Sequence, residues 1–191
     1  TGVRTQNGTY PARWVILATG GLSYPTTGST GDGYAMAKAL GHTITPTEGS
    51  LVPLETAGDI CQRMQGLSLR NVGVKLVNAK GKVLYRDFGE LLFTHFGVSG
   101  PTVLSASAHL KGEACRLLLD LKPALEEGKL NDRILRDLEM YQNRTMENAL
   151  TDLLPRSMIP VVLDMLEIPR ELQAKSLKKQ QRRALVDLLK A

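Results

Sequence analysis

Residues 14–33, WVILATGGLSYPTTGSTGDG, constrain the fold more than any other stretch of the chain. They open on the apolar run Trp14-Val15-Ile16-Leu17-Ala18. Its length and branched side chains predict a strand buried on both faces. Thr19-Gly20-Gly21 closes the run, and a polar loop with Gly28, Gly31 and Gly33 follows. Residues 34–40 then place Met36, Ala37 and Leu40 at helical spacing ahead of Gly41, a natural helix stop. Glycines at the end of a buried strand let a backbone approach a ligand with no Cβ in the way. A Thr-Gly-Asp-Gly segment that enters a helix offers free N–H groups to a phosphate or carboxylate. Spacing alone leaves two readings open. One is a nucleotide-binding strand–loop–helix; the other is an ordinary strand–helix turn punctuated by glycine.

The flanking sequence supplies the rest of the architecture. Asn7-Gly8 predicts a hairpin turn ahead of the buried strand. His42 follows the first helix and is placed either against its terminal carbonyls or in solvent. Residues 43–54 read as extended and carry Pro46 and Pro53. From Leu67 the apolar period shortens to two, which predicts a half-buried strand over 67–77, a turn at 78–82 and a return at 83–87. Further strands are expected at 91–94 and 116–120, with a short helix over 101–110 that has Pro101 in its first turn. Strands at this spacing suggest an antiparallel sheet or small barrel.

Beyond Pro123 the period lengthens again. Helices are expected at 131–142, capped by Asn131 or Asp132, and at 145–154. Two more are expected at 157–166, with Pro160 in the first turn, and at 177–190, capped by Ser176. Together they predict a small helical bundle. The fold class expected is α+β, in three parts: residues 1–54, a β-rich, barrel-like region at 55–122, and the bundle at 123–191.

Composition excludes several function classes. With 42% hydrophobic and 23% charged residues the chain is globular rather than disordered. Aromatics are 5%, which weakens a case for an aromatic stacking platform, so no nucleic-acid partner is expected. The net charge of +5 suits an anionic ligand such as a dinucleotide, and equally an ordinary surface. Cys61 and Cys115 are far apart, without metal-ligand spacing, and read as buried thiols of a reducing, cytoplasmic compartment. No apolar run reaches membrane-spanning length, and no membrane partner is expected.

Ala18-Thr19-Gly20-Gly21 after Val15-Ile16-Leu17 resembles the strand end of flavoproteins with two dinucleotide-binding domains. Ser29-Thr30-Gly31-Asp32-Gly33, with a small-residue helix ending at Gly41, resembles the fumarate reductase and succinate dehydrogenase flavoprotein subunits. In that family the Asp of this motif contacts FAD. The longer string through Ser50-Leu51-Val52-Pro53-Leu54 is more similar to bacterial NAD(P)/FAD-dependent oxidoreductases, including aminoacetone oxidase-like and bile-acid-reductase-like members. So is a second motif, the GELLFTHFGVSGP of residues 89–101. Leu51-Val52-Pro53-Leu54 lacks the histidine of the fumarate reductase segment, which argues against dicarboxylate reduction by that mechanism.

The resemblance implies that residues 1–54 are part of a Rossmann-like FAD-binding domain and that the rest is an insert capping the flavin and substrate cleft. It implies an enzyme that transfers hydride through FAD to or from a small organic substrate, with NAD(P)H as a candidate redox partner. The GxGxxG unit that opens such families does not occur here. The chain is therefore expected to be an internal fragment, inactive alone, whose partner is the rest of its own parent chain.

The resemblance assigns cofactor contact to Ala18, Thr19, Gly20, Gly21, Tyr24, Pro25, Gly28, Thr30, Gly31, Asp32 and Gly33, with Thr27 beside them. Asp32 is expected to accept from a ribose or ribityl hydroxyl, and its plain alternative is a helix N-cap. His95 and Ser99 are the candidates for substrate contact. The alternative for His95 is a structural bond to a backbone carbonyl. No metal site is expected. The basic run Lys175 to Arg183 is read as the solvated face of the last helix. The competing function is a non-enzymatic module that binds a partner protein or nucleic acid through that face.

Overall fold

The computed structural model describes residues 2–190. The chain divides into two compact units, the first ending at Thr47 and the second beginning at Glu48.

The first unit opens on an antiparallel hairpin, β1 (Gly2–Thr5) and β2 (Gly8–Pro11). Thr5 pairs with Gly8, so the turn is Gln6-Asn7 rather than the expected Asn7-Gly8. The Thr5 side chain decides this: its Oγ1 accepts from the Asn7 N–H at 3.2 Å and donates to the Gly8 carbonyl at 3.3 Å. A single 3-10 turn, Pro25–Thr27, precedes α1 (Asp32–Ala39).

The strand predicted over residues 14–18 does not form. The segment has no paired neighbour among the described residues, and Trp14 and Ile16 are 82% and 90% exposed. The reason is physical: a strand buried on both faces exists only as the middle of a sheet, where flanking strands satisfy its N–H and C=O groups. The β1–β2 hairpin does not flank it. Without that sheet, the apolar run stays extended and solvated.

The second unit carries the core. Its sheet runs in the order β3 (Leu54–Glu55), β6 (Gly97–Ser99), β5 (Val83–Phe93), β4 (Ser68–Asn78), β7 (Cys115–Asp120), and every pairing is antiparallel. The two predicted strands at 83–87 and 91–94 are one eleven-residue strand, β5. Glycine at 89 did not break it, because a side chain there would press on Thr102 of the helix that covers the strand. Asn78 closes the β4–β5 hairpin, its Oδ1 accepting from the N–H groups of Lys80 and Lys82 at 3.1 and 2.9 Å. Register shifts between Leu69 and Val72, and again between Leu76 and Val77, mark β4. Extra residues of this kind increase local twist, and they help curl the sheet into a half-barrel.

Between the strands lie α2 (Ile60–Arg63) and α3 (Pro101–Ser107), followed by α4 (Glu127–Met140), α5 (Met146–Ala149), α6 (Ile159–Met165) and α7 (Lys179–Leu189). Helix α4 starts four residues before the expected Asn131, with Glu126 as its cap residue and Glu127 in the first turn, where an acidic side chain favours the helix dipole. Ser176 belongs to a 3-10 turn, Ala174–Ser176, and α7 is capped at Lys178, whose N–H donates to Gln181 Oε1 at 3.1 Å. The predicted helix at 145–154 shrinks to α5 followed by turns. Its first residues are held instead by backbone pairing: Met146 N–H donates to the Leu172 carbonyl at 2.8 Å, and Ala174 N–H to that of Arg144 at 2.9 Å. Residues 145–173 are therefore an excursion whose two ends meet.

One apolar core joins sheet and helices. Val72, Val74, Leu91 and Phe93 from the sheet are buried in the same cluster as Leu130 and Ile134 of α4, Leu163 of α6, and Leu185 and Leu189 of α7. The end of α7 is tied to the end of β7: Leu121 N–H donates to the Leu189 carbonyl at 2.9 Å, and Lys190 Nζ meets Asp120 Oδ2 at 2.6 Å. Asp164 of α6 pairs with Arg63 of α2 and with Arg170.

Two expectations test this packing. Leu130→Ala removes a fully buried side chain and should cost about 2–5 kcal/mol in urea unfolding, with β4 amides exchanging faster as well. The second concerns acid. Hydrogen bonds from Arg170 and then Arg63 hold the Asp164 carboxyl below its ordinary range. That contribution is present above the unfolded carboxylate pKa of about 3.9 and is lost as the pH falls through the lower folded value. Thermal midpoints of the wild type and Asp164→Asn should therefore differ at neutral pH and converge in acid.

Candidate functional site

The glycine-rich loop of the first unit folds back on itself. A Cβ at Gly33 would lie 2.3 Å from Thr19 Oγ1, and one at Gly31 would lie 2.7 Å from Leu22. At Gly20 the neighbour is Ser29 Oγ at 3.1 Å, and at Gly21 it is the Tyr34 hydroxyl at 3.3 Å. Residues 19–22 thus lie against 29–34, with glycine where the two runs touch. Gly28 and Gly31 have φ of 93° and 84°, the left-handed region that a side chain disfavours. Gly28 ends the 3-10 turn and Gly31 is the residue before α1.

Asp32 is the first residue of α1 and is exposed. It does not cap the helix, since Gly31 holds the cap position and no side-chain cap bond is made. Among the described residues, the N–H groups of Asp32 and Gly33 find no backbone acceptor. Tyr24, Pro25, Thr27 and Thr30 lie on the exposed side of this loop, and Thr27 Oγ1 donates to the Tyr24 carbonyl at 2.7 Å. Ala18 belongs to the extended run before it.

The second motif builds the β5–β6 hairpin and the entry to α3. Thr94 N–H donates to the Gly97 carbonyl at 2.8 Å, and Gly97 N–H donates to Thr94 Oγ1 at 3.1 Å. His95 sits at the exposed tip, its ring edge-on to Phe96 with centroids 4.9 Å apart. It makes no side-chain hydrogen bond to a carbonyl among the described residues. Ser99 pairs with Leu92 across β6 and β5 and is half-buried. The motif's glycines are packing requirements. A Cβ at Gly97 would stand 2.1 Å from the Leu54 carbonyl oxygen, and Gly100, with φ of 101°, lies against the Glu90 backbone. Thr102 Oγ1 donates to the Glu90 carbonyl at 2.7 Å and fixes α3 on β5.

Sequence reasoning missed a third feature. Where β4 is irregular and β7 ends, open grooves meet side by side. One of about 660 Å³ is lined by Asn71, Phe88 and Lys122, and it adjoins another of about 400 Å³ along α4 that is lined by Lys129, Arg133 and Arg136. The spacing of 129, 133 and 136 at i, i+4 and i+7 was a readable signal of one basic helix face. No local pattern foretold that Lys122 would join it. Among the described residues, no group of His, Cys, Asp or Glu is arranged to hold a metal ion, and no helix is long and apolar enough to cross a membrane.

The half-barrel followed by helices matches, over residues 48–191, the family described as HI0933-like protein barrel and H2TH domain. The chain belongs to the HI0933-like family. Among curated relatives, it is 30% identical over 182 residues to the 3-dehydro-bile acid delta(4,6)-reductase of Clostridium scindens, covering 92% of this chain and 44% of that protein. It is 30% identical over 181 residues to the ribosomal RNA dihydrouridine synthase of Escherichia coli, covering 92% of this chain and 42% of the relative. The corresponding protein of Haemophilus influenzae is 31% identical over 150 residues, 78% of this chain and 35% of its own. The chain spans less than half the length of these relatives.

Gly97→Ala tests the packing account of the second motif. The clash is with backbone, which cannot swing away, so the variant should lose β3–β6 pairing. The check is faster amide exchange at Thr56, whose N–H donates to the Phe96 carbonyl, together with a lower thermal midpoint.

Proposed function

We propose that the chain is part of a flavin-dependent oxidoreductase that saturates a carbon–carbon double bond conjugated to a carbonyl. The observation that carries this reading is the pair of relatives named for reactions of one kind. A delta(4,6)-reductase of a 3-dehydro bile acid and a dihydrouridine synthase both add two hydrogens across a ring double bond in conjugation with C=O. In such a step hydride adds to the β-carbon, the electron pair moves onto the carbonyl oxygen, and a proton is added at the α-carbon.

The flavin is FAD in this proposal, and when bound it supplies the hydride. The first unit fits such a group: open backbone at Gly28, and a helix start whose Asp32 and Gly33 N–H groups find no backbone acceptor beside the exposed Asp32 carboxylate. Ala18, Thr19, Gly20 and Gly21 would approach it with backbone, as would Tyr24, Pro25 and Gly28 with the loop that follows. Thr30, Gly31 and Gly33 would offer polar groups to its phosphates, and Asp32 would accept from a hydroxyl of its sugar portion. In the second unit, His95 and Ser99 are the candidates for holding substrate, with the exposed His95 ring free to move a proton. NAD(P)H would serve as reductant, a small organic molecule as substrate, and the reducing cytoplasm as setting for the free thiols Cys61 and Cys115.

The test is a visible absorption spectrum of the full-length natural protein containing these residues. Flavin bands that bleach on adding NADPH or NADH are expected. Their absence after reconstitution with FAD would overturn the proposal. The same spectrum of this chain alone should lack the bands, because a dinucleotide needs more anchoring than one loop provides.

A further inference from the structure

Lys122 is a nucleophile that the proposed chemistry leaves unused, and its backbone is fixed from both sides. It stands two residues past β7, where its N–H donates to Asp120 Oδ1 at 3.0 Å and its carbonyl accepts from Lys190 Nζ at 3.1 Å. The other Asp120 oxygen, Oδ2, takes the Lys190 ammonium at 2.6 Å. That carboxylate is committed to other partners, and among the described residues none lies within ion-pair distance of the Lys122 ammonium. The residue is half-buried all the same.

An ammonium in this position gives up water without gaining an anion, which disfavours its charged form. Burial is the main cause that lowers its pKa; the Arg133 guanidinium, itself paired with Asp137, adds a smaller one. Lys190 is the internal comparison, a second half-buried lysine at the same end of the sheet whose carboxylate is in place. A lysine held closer to its neutral form offers its lone pair near neutral pH, and desolvation of this kind is what activates a lysine amine.

The amine has a place to work. Lys122 lines a groove of about 310 Å³ between the irregular part of β4 and the turn ahead of α6. Leu69 and Val72 of β4 and Leu154 and Met158 across from them give it apolar walls. Arg70 is the second cation of the lining; it is exposed and makes no ion pair among the described residues. No acidic residue lines the groove.

We propose that Lys122 is an acylation site whose donor is a small acyl phosphate. The neutral amine attacks the acyl carbon, a C–N bond forms, and the bond from that carbon to the phosphate oxygen breaks. Inorganic phosphate leaves with the bonding pair, and the proton lost by nitrogen passes to solvent. Nothing is oxidised or reduced. Each part of the groove has a task in this step. Arg70 answers the charge of the phosphate, whose oxygens suit a guanidinium fork. The apolar walls take a short aliphatic acyl group. The product is a neutral amide, so the cost of the half-buried ammonium disappears. A thioester carries no charge at its reacting end and would leave Arg70 without a task. The proposal stands independently of whether a flavin binds.

The test is timed labelling of the full-length natural protein containing these residues with acetyl phosphate at neutral pH, read by peptide mass spectrometry. Lys122 should be acetylated several-fold faster than Lys80 and Lys82, which are exposed in the β4–β5 turn, and Lys190 should be the slowest of the four. A parallel series with N-hydroxysuccinimidyl acetate, an uncharged donor, separates the reactivity of the amine from recognition of the donor. Arg70→Gln should slow acetylation of Lys122 by acetyl phosphate several-fold and leave its rate with the ester unchanged. Arg70 is exposed, and circular dichroism with thermal melts confirms that the variant folds.

Two outcomes would overturn the assignment. One is Lys122 reacting with acetyl phosphate no faster than Lys80 and Lys82. The other is Arg70→Gln changing neither rate or both alike, which would make Lys122 a reactive amine without a site for the phosphate. Bleachable flavin bands without selective labelling would remove this proposal alone, and selective labelling without flavin would remove only the reductase reading.

Discussion

The burial of one apolar cluster shared by a curled sheet and a set of short helices is the interaction on which the second unit depends. None of its helices is long enough to stand in water alone; α5 has four residues and α6 seven. They exist because Met146, Ile159 and Leu163 are excluded from water in the same buried cluster that holds Val72 and Val74. The sheet is equally dependent, since its open half-barrel would otherwise expose one apolar face. The ties at its margin, Lys190 to Asp120 and the Leu121–Leu189 backbone bond, secure the last helix against the edge strand.

Much of this was legible in the sequence, and the failures have a common cause. The period-two stretch at 67–77 became β4, the turn at Asn78 closed as expected, and Pro160 fell in a first helical turn. These features are set by local chemistry. Residues 14–18 read equally clearly as a buried strand, yet the pattern specifies an environment, and the partners that create it are not adjacent in this structure. Helix starts were misplaced for the opposite reason. Ser176 and Asn131 are good caps, but the buried Leu130 and the side chain of Gln181 decided where α4 and α7 began. The candidate loop at 19–33 was visible through its glycines. The basic groove was not, because it joins residues from β4, β5, the end of β7 and α4, which only the folded sheet brings together.

The glycines of the two motifs are mostly packing positions, and Gly28 is the exception. In the β5–β6 hairpin they are filled in by the protein itself: Gly97 by the Leu54 backbone, Gly89 by Thr102 and Gly100 by Glu90. A family motif there records the geometry of packing. Around Gly28 nothing lies within 4 Å of the missing side chain, and Asp32 beside it faces solvent. Gly28 thus marks open backbone, whereas Gly31 and Gly33, like the hairpin glycines, mark close packing.

The excursion over residues 145–173 leaves and re-enters the fold through neighbouring points, with Thr145 bridged to Gln173. The entropy of closing such a loop is set mainly at its neck and grows only slowly with its length. Once the Met146–Leu172 and Arg144–Ala174 pairs are made, the chain between them can lengthen or shorten at its surface turns while α4 and α7 keep their register. Evolution could therefore vary the reach of this lobe from one relative to the next as an independent dimension, while the half-barrel beneath it stays the same.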